Sequence, residues 1–189
     1  PTFARTKPPA AEVADDLALR GVVGGSVHGD LSQAAREQSL DAFRSGAVEI
    51  VVATDVAARG IDVDAVTHVI NYQPPDDPMT YVHRIGRTGR AGYAGTAVTL
   101  VGYDEDHKWH LVDSELGLGQ ANPPTWFSSS PELFEALGIP ETAKATVGPP
   151  RKVFAARPDG PNRGSGRSAF RSAGRGTRRR GRGGRRRGA

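Results

Sequence analysis

The stretch VEIVVATDVAARGID, residues 48–62, joins an apolar segment to a polar loop. Its first six residues are mostly β-branched or small, which is typical of a strand covered on both faces of a parallel sheet. The nine residues that follow contain a hydroxyl group, two carboxylates, one guanidinium group and one glycine. Ligands of open α/β sheets bind at the carboxyl ends of the strands. The stretch therefore predicts an α/β fold, with either an ordinary strand–helix turn or a ligand site at the carboxyl end of this strand.

Strand and helix patterns alternate on both sides of this stretch. The opening residues read as the end of a strand that is truncated in this chain. The remaining predicted strands are 22–27, 48–53, 66–72 and 95–102, and the predicted helices end at Gly21, follow the N-cap Ser32 over 33–45, begin at Asp77-Pro78, and cover 104–116. Strands separated by helices predict a mostly parallel sheet with helices on both faces.

Charge divides the chain into an acidic body and a basic tail. Residues 1–150 carry 11 basic and 20 acidic residues, whereas residues 151–189 carry 13 Arg and 1 Lys against 1 Asp. The tail contains too few apolar residues to fold, and its charge indicates a polyanionic partner. We therefore predict a domain over 1–117, an extension with one short helix over 118–150, and a disordered Arg/Gly-rich tail over 151–189.

Several classes of protein are disfavoured by composition. The chain has no cysteine, which excludes a disulfide framework and thiolate metal sites. No apolar run approaches the roughly 20 residues of a membrane span, and no signal-peptide pattern opens the chain. We expect a cytoplasmic protein with no membrane partner.

The stretch HRIGRTGR, residues 83–90, places three arginines three residues apart. Guanidinium groups match phosphate oxygens in a planar, bidentate geometry. The glycines at 86 and 89 allow the backbone to turn and to approach closely. From these residues alone, a phosphate site and a solvated charged face are both open.

Four stretches in fixed order resemble the C-terminal RecA-like domain of DEAD-box ATP-dependent RNA helicases. They are FARTK (3–7), HGD (28–30) with Gln33 and Arg36, ATDVAARGID (53–62) and YVHRIGRTGR (81–90). The resemblance covers about residues 1–116 and implies a three-layer RecA-like domain. It also implies that ATP lies in a cleft between this domain and an N-terminal RecA-like domain, and that the RNA backbone crosses both.

The resemblance also implies a role for individual positions. Arg87 and Arg90 correspond to arginine fingers that reach the γ-phosphate, and His83 to the histidine that couples the nucleotide site to the other domain. Gly60 and Asp62 correspond to residues near the ribose and the attacking water. The RNA-binding positions are Arg5, Thr6, Gly29, Gln33, Arg36, Thr54 and Arg59. Charge alone adds the tail arginines Arg178, Arg179, Arg180, Arg182, Arg185, Arg186 and Arg187 as RNA contacts.

The sequence contains no GxxxxGK[ST] phosphate-binding loop. We therefore expect ATP with Mg²⁺ to be bound mainly by the N-terminal domain, and this chain alone to be inactive. The leading interpretation is the C-terminal half of an RNA-dependent ATPase that unwinds short duplexes or remodels ribonucleoproteins with little sequence specificity. The alternatives are a non-enzymatic RNA-binding or annealing module and a related DNA helicase.

One acidic stretch needs a separate interpretation. Residues 104–107, DEDH, resemble the Mg²⁺-binding motif of the helicases' first domain, but they follow the arginine run and no phosphate loop precedes them. We interpret them as the acidic N-cap and first turn of a helix. His107 and His110 have no evident third ligand, and we predict no metal site.

Overall fold

The computed structural model describes residues 1–58, 66–90 and 92–154, and strands alternate with helices along these residues. The elements are β1 (Thr2–Ala4), α1 (Lys7–Leu19), β2 (Gly24–Val27), α2 (Gln33–Arg44), β3 (Ile50–Thr54), α3 (Asp55–Ala58), β4 (His68–Asn71), α4 (Pro78–Ile85), β5 (Thr96–Thr99), α5 (Asp106–Leu116) and α6 (Pro131–Leu137). Every predicted strand and helix is present, with ends that differ from the prediction by a few residues.

The five strands form one parallel sheet in the order β2-β3-β1-β4-β5. Strand β1 lies in the centre, with Phe3 opposite Ala53 of β3 on one side and Asn71 of β4 on the other. The chain first builds one half of the sheet and then crosses to the other between β3 and β4. The carboxyl ends of β1, β3 and β4 therefore meet at the switch point, where α/β sheets bind ligands.

Helices cover both faces of the sheet, as predicted. On one face Phe3, Val51 and Val69 pack with Leu40 of α2. On the other face Ala4 and Val52 pack with alanines of α1. Neighbouring residues of a strand point to opposite faces, so the apolar run of β3 supplies both layers of the core. The result is the three-layer RecA-like architecture that the resemblance implied.

Two predicted helix starts are confirmed at the level of single hydrogen bonds. The Ser32 hydroxyl accepts from the Ala35 amide at 3.2 Å, and the Asp77 carboxylate accepts from the Thr80 amide at 2.8 Å. The prediction for α5 was wrong in one respect, because its N-cap residue Glu105 makes no capping bond with its side chain. That carboxylate is buried and interacts with Arg5 and Gln73 instead.

Helix α5 packs on α4 through the stripe that its sequence predicted. Trp109 and Val112 are buried, and Leu116 packs against them. The Trp109 ring meets Tyr81 of α4 edge-on, with 5.7 Å between ring centroids. This contact connects α5 to the helix that precedes the arginine run.

The extension after α5 packs less tightly than the residues before it. Helix α6 buries none of its residues, and the nearby aromatic side chains pack weakly, since Trp126 is 39% and Phe127 70% exposed. Residues 147–154 nevertheless return to the edge of the sheet, where the Phe154 amide donates to Gly24 O at 2.8 Å. The first four residues of the predicted disordered tail thus belong to the folded body, because Val153 and Phe154 supply apolar contacts. Residues 155–189 lie outside the described part of the chain.

Candidate functional site

The loops after β1, β2 and β3, which carry most of the predicted RNA positions, lie at the carboxyl edge of the sheet. Arg5 follows β1, Gly29 follows β2, Thr54 ends β3, and α4 begins shortly after β4. Parallel strands end at a common edge, so the topology collects residues that are far apart in sequence. These loops therefore form one surface, whereas the loop with Arg87 and Arg90 contacts residues 66–67 at the amino end of β4.

Arg84 is the most deeply buried charged residue of this region, with only 2% of its surface exposed. Its Nε and Nη2 atoms donate to the two carboxylate oxygens of Asp55 at 2.6 and 2.7 Å. Its Nη1 donates to the Gln73 carbonyl at 2.8 Å and to Asn71 Oδ1 at 3.3 Å. The guanidinium group also lies over the Phe3 ring, 5.5 Å from its centroid.

These contacts correct one expectation about the arginine run. Three evenly spaced arginines suggested a joint phosphate site, but the buried Arg84 guanidinium makes four hydrogen bonds inside the domain and is not available to a ligand. The spacing of Tyr81 and Arg84 in the sequence already indicated that Arg84 is buried. Tyr81 and Arg84 are three residues apart on α4, so they share a face, and a buried Tyr81 places Arg84 against the core.

Arg87 and Arg90 lie beyond the end of α4, which stops at Ile85. Each donates from Nε to a carbonyl four residues earlier, Arg87 to His83 O at 3.2 Å and Arg90 to Gly86 O at 2.6 Å. Arg90 and His83 are exposed, and Arg87 is half-buried. Both side chains are thus tied by Nε to backbone carbonyls at the end of this helix.

The loop that carries these arginines is fixed at its centre by Thr88. The buried Thr88 hydroxyl contacts the carbonyls of Val66 and Thr67, the latter at 3.1 Å. Gly95 packs so closely on this residue that an added Cβ would lie 2.9 Å from Thr88 Cβ. Gly89 has φ +66°, a conformation that glycine adopts without strain, which confirms its predicted role in the turn.

Arg5 is held by acidic side chains in this structure. Its Nη2 lies 3.0 Å from Glu105 Oε1, and its Nη1 lies 3.5 Å from Asp76 Oδ1. The hydrogen bond from Lys108 is the main cause that lowers the pKa of Asp76 below its ordinary value, and Arg5 adds to it. RNA contact at Arg5 stays a prediction, and it would have to compete with these carboxylates.

Three of the predicted RNA positions lie along the loop after β2 and the start of α2. Gly29 is exposed, with open space where a side chain would be. Gln33 donates to Glu37 at 2.8 Å. A groove of about 370 Å³ follows the outer face of α2 and is lined by Gln33, Arg36, Glu37, Leu40, Asp41 and Arg44. Nearby, Lys7 pairs with Asp30, which lowers the pKa of that carboxyl group.

Two further predicted positions differ in accessibility. Thr54 is buried at the end of β3, directly before Asp55. Thr6 is the exposed N-cap residue of α1, and its side chain makes no capping bond. Other predicted positions lie outside the described residues, namely Arg59, Gly60, Asp62, Arg178, Arg179, Arg180, Arg182, Arg185, Arg186 and Arg187.

Comparison with known proteins agrees with this fold. The family described as the helicase conserved C-terminal domain matches residues 2–92. The Escherichia coli DEAD-box protein SrmB, solved bound to regulator of ribonuclease activity A, is 34% identical with a TM-score of 0.59, and the match covers 68% of this chain and 80% of that one. This chain belongs to the DEAD-box family.

Other DEAD-box proteins are similar over a smaller part of their length. The DEAD-box ATP-dependent RNA helicase CshA of Geobacillus kaustophilus is 50% identical over 125 residues, 65% of this chain and 27% of that protein. Saccharomyces cerevisiae Dbp5 bound to RNA and ADP BeF3 has a TM-score of 0.57 at 35% identity, with 61% of this chain and 32% of that one covered. The chain thus spans about a quarter of the length of the CshA protein. These names favour the RNA-helicase interpretation over its two alternatives.

Residues 1–58, 66–90 and 92–154 of this DEAD-box domain contain neither a cluster suited to a metal ion nor a helix suited to a membrane. No group of three or more His, Asp or Glu side chains in these ranges could hold a metal ion. His110 pairs with Asp106 of its own helix, with 3.2 Å between Nε2 and the carboxylate. None of the helices described in these ranges has the length and apolarity required to cross a bilayer.

Proposed function

We propose that this DEAD-box domain is the C-terminal half of an ATP-dependent RNA helicase, which works together with an N-terminal RecA-like domain. The observation that carries the proposal is the position of Arg87 and Arg90 at the surface end of α4, directly after a helix that Arg84 fixes to the core. The name of the CshA relative and the ligands of the Dbp5 structure support the same activity.

In the proposed mechanism Arg87 and Arg90 stabilise the transferring γ-phosphate of the substrate ATP. A loose transition state spreads negative charge over the phosphoryl oxygens, so a guanidinium group placed there lowers the barrier more than it stabilises bound ATP. Such a finger contributes roughly 10³–10⁵ in rate, on the order of 4–7 kcal/mol. Because the fingers sit on this domain, hydrolysis requires that the two domains close.

The backbone bonds of the two arginines support this role. When Nε donates to a carbonyl four residues earlier, the plane of the guanidinium group is set before a ligand arrives. Preorganised charges of this kind avoid a cost of reorientation during the reaction. His83 lies one turn before Arg87 on the exposed side of α4 and is the proposed contact to the other domain.

RNA is proposed to bind at the carboxyl edge of the sheet through its phosphates and sugars. The proposed contacts in the described residues are Arg5, Thr6, Gly29, Gln33, Arg36 and Thr54, and the proposal extends to Arg59 and to the tail arginines. Contacts to the nucleic-acid backbone fix position but carry little sequence information. We therefore infer a remodelling activity with little sequence preference.

The proposed nucleotide contacts of this chain are limited to one side of the ATP. Gly60 and Asp62 are the proposed contacts near the ribose and the attacking water, and the resemblance supports this assignment. The described acidic and histidine residues form no cluster that fits Mg²⁺, so we assign none of them to this ion, which would be held mainly by the N-terminal domain. The cytoplasmic location stays a prediction, which fractionation of cells would test.

The proposal is tested by ATP turnover with single-stranded RNA in a fusion of this chain to the N-terminal RecA-like domain of a DEAD-box helicase. The fusion removes failed association of the halves as an explanation of inactivity. We expect turnover by the fusion, none by this chain alone, and a loss of about 10³-fold or more in Arg87→Gln.

The matched control is Arg20→Gln, which changes an exposed arginine at the end of α1. It should leave turnover and folding unchanged. Equal turnover of Arg87→Gln and Arg20→Gln would contradict the finger role. Turnover by this chain alone would contradict the division of the site between two domains.

A further inference from the structure

One carboxylate oxygen beside the carboxyl edge of the sheet contacts two cations from different parts of the chain. Asp76 lies in the loop between β4 and α4, and its Oδ1 is 3.5 Å from Nη1 of Arg5, which follows β1. The same oxygen accepts a hydrogen bond from Nζ of Lys108 in the first turn of α5. Two cations that converge on one oxygen form an anion site, and the Asp76 carboxylate is the anion in this structure.

The two cations are held more firmly than the carboxylate between them. The side chains of Arg5 and Lys108 are 26% and 21% exposed, whereas that of Asp76 is 69% exposed. Arg5 is also fixed on its other side, because its Nη2 lies 3.0 Å from Oε1 of the largely buried Glu105. Glu105 in turn accepts from Gln73 Nε2 at 3.1 Å. The Asp76 side chain can therefore rotate into solvent while the Arg5 guanidinium group keeps its orientation.

The anion site lies on the edge of the sheet where the proposed RNA contacts lie. Asp76 follows β4 and Lys108 follows β5, so both occur beyond the carboxyl ends of their strands, as does Gly29 beyond β2. In the strand order β2-β3-β1-β4-β5, three spacings of about 4.8 Å separate β2 from β4, roughly 14 Å in all. A single strand of RNA that crosses this edge from Gly29 thus reaches Asp76 within a few nucleotides.

We propose that Arg5 and Lys108 form a phosphate subsite for single-stranded RNA, and that the Asp76 carboxylate occupies this subsite until RNA displaces it. The inference rests on the proposed RNA-binding function, to which it adds Lys108 as a contact and Asp76 as an internal competitor. Phosphate and carboxylate both offer anionic oxygens to the same donors, so the exchange leaves both cations paired.

The internal competitor favours phosphates that are already tethered to the domain. Asp76 is part of the chain, so its effective concentration at the two cations far exceeds that of an ordinary anion in solution. A phosphate of an RNA that also contacts Gly29, Gln33 and Arg36 has the same intramolecular advantage. Free inorganic phosphate lacks this advantage and should therefore compete poorly for the subsite.

The first test measures the affinity of the full chain for a short single-stranded RNA. An exposed ion pair changes an equilibrium by about twofold to fivefold, so Asp76→Asn should tighten binding by about that factor. The matched control is Asp15→Asn, which removes the same charge from an exposed position on α1 and should leave the affinity unchanged. In a chain with both Arg5→Gln and Lys108→Gln, Asp76→Asn should have no effect. Equal gains from the two aspartate variants, or no gain at Asp76, would overturn the proposal.

The second test varies the charge at position 108. The chain has no cysteine, so Lys108→Cys can be modified uniquely with an aminoethyl or a sulfonatoethyl methanethiosulfonate. The unmodified variant should lower the log–log salt slope of RNA binding by up to about 0.7, the aminoethyl adduct should restore the slope, and the sulfonatoethyl adduct should weaken binding further. The control is Lys144→Cys, at an exposed position of the extension, whose RNA affinity neither reagent should change. Equal affinities of the two adducts at position 108 would overturn the subsite.

The third measurement follows Asp76 itself and separates the subsite from the proposed function. Without RNA, the hydrogen bond from Lys108 is the main cause that lowers the pKa of Asp76, so this pKa, measured by NMR titration of the carboxyl group, should rise in Lys108→Gln. RNA should raise it in the parent chain, because a phosphate takes over both cations, whereas inorganic phosphate at constant ionic strength should not. RNA binding with an unchanged pKa of Asp76 would overturn the displacement. Absence of RNA binding by the parent chain would contradict the proposed function, and the subsite with it.

Discussion

Replacing Arg84 by glutamine should destabilise this domain far more than the same change at Arg87, three residues later. Arg84→Gln removes a buried guanidinium group that makes two hydrogen bonds to Asp55, one to the Gln73 carbonyl and one to Asn71. Arg87→Gln changes a half-buried side chain at the end of α4. The pair of variants therefore separates a structural arginine from a proposed catalytic arginine in the same motif.

The expected loss at Arg84 follows from its partners. Breaking a buried ion pair by removing one member costs about 3–5 kcal/mol. The Asp55 side chain is 30% exposed, so water partly solvates the carboxylate that remains and the lower end applies. The Gln73 carbonyl and the Asn71 amide also lose a donor, although a glutamine can replace one bond. We expect the free energy of unfolding to fall by about 3 kcal/mol.

Urea denaturation followed by tryptophan fluorescence measures this loss, because Trp109 is buried against α4. With a slope of about 2 kcal/mol per molar urea, a loss of 3 kcal/mol lowers the midpoint by roughly 1.5 M. Arg87→Gln should stay within about 0.5 kcal/mol of the parent. In a cycle with Asp55→Asn, the double variant should be more stable than additivity predicts by at least about 1 kcal/mol.

Equal midpoints for the variants at positions 84 and 87 would refute this reasoning. So would strict additivity with Asp55→Asn, because it would mean that the two side chains do not interact in solution. A loss at Arg84 that vanished in high salt would also contradict it, since a buried pair is screened far less than a surface pair.

Three further results are expected. Asp77→Ala should lower the free energy of unfolding by about 1 kcal/mol at neutral pH, as measured by denaturant unfolding. Hydrogen bonds from the Thr80 hydroxyl and amide lower the pKa of Asp77, so the stabilisation by its carboxylate is present above the ordinary carboxyl pKa and is lost as the pH falls through the lowered pKa. The stabilities of parent and variant should therefore converge in acid. Gly95→Ala should lower the melting temperature by several degrees, because the new Cβ would collide with Thr88, whereas Gly29→Ala, which meets open space, should not; equal melting temperatures would contradict this. Replacing the 12 arginines of 155–189 by glutamine should reduce the log–log salt slope of RNA binding by about 4 if half of them contact phosphate, and an unchanged slope would exclude the tail from the complex.

The fold was predictable from the sequence because its signals are local. The apolar run of β3 and the N-caps Ser32 and Asp77 each depend on residues a few positions apart. The prediction of a parallel sheet needed only the alternation of strands and helices, since the connection between two parallel strands requires a crossover element. Strand order and register depend on packing between distant segments, and the sequence did not provide them.

The site was predictable at its motifs and less so at their partners. Arg87 and Arg90 were placed at a turn by Gly86 and Gly89, and the structure has that turn. The burial of Arg84 depends on which face of α4 meets the sheet. The even spacing of the three arginines therefore wrongly suggested that all three share one phosphate site. Residues 104–107 suggested a carboxylate that caps its own helix, whereas the side chain of the N-cap residue Glu105 pairs with Arg5, 100 residues away in the chain.

The segment 147–154 at the edge of the sheet was missed for a related physical reason. Its composition is that of a tail, with Pro, Gly and basic residues around Val153 and Phe154. Two apolar side chains are too few to mark a strand by periodicity. They suffice here because β2 is an edge strand, whose unpaired backbone groups supply the remaining interactions.

The buried position of Arg84 changes how inherited or engineered variants in this motif should be classified. A screen that scores activity alone would place substitutions at 84, 87 and 90 in one group of inactive proteins. Growth temperature should divide the group, since a protein with less stability in reserve recovers when it is cooled. Substitutions at 84 would then behave as temperature-sensitive alleles with reduced protein abundance. Substitutions at 87 or 90 would leave a folded and abundant chain at every temperature, and under the proposed finger role that chain would be inactive.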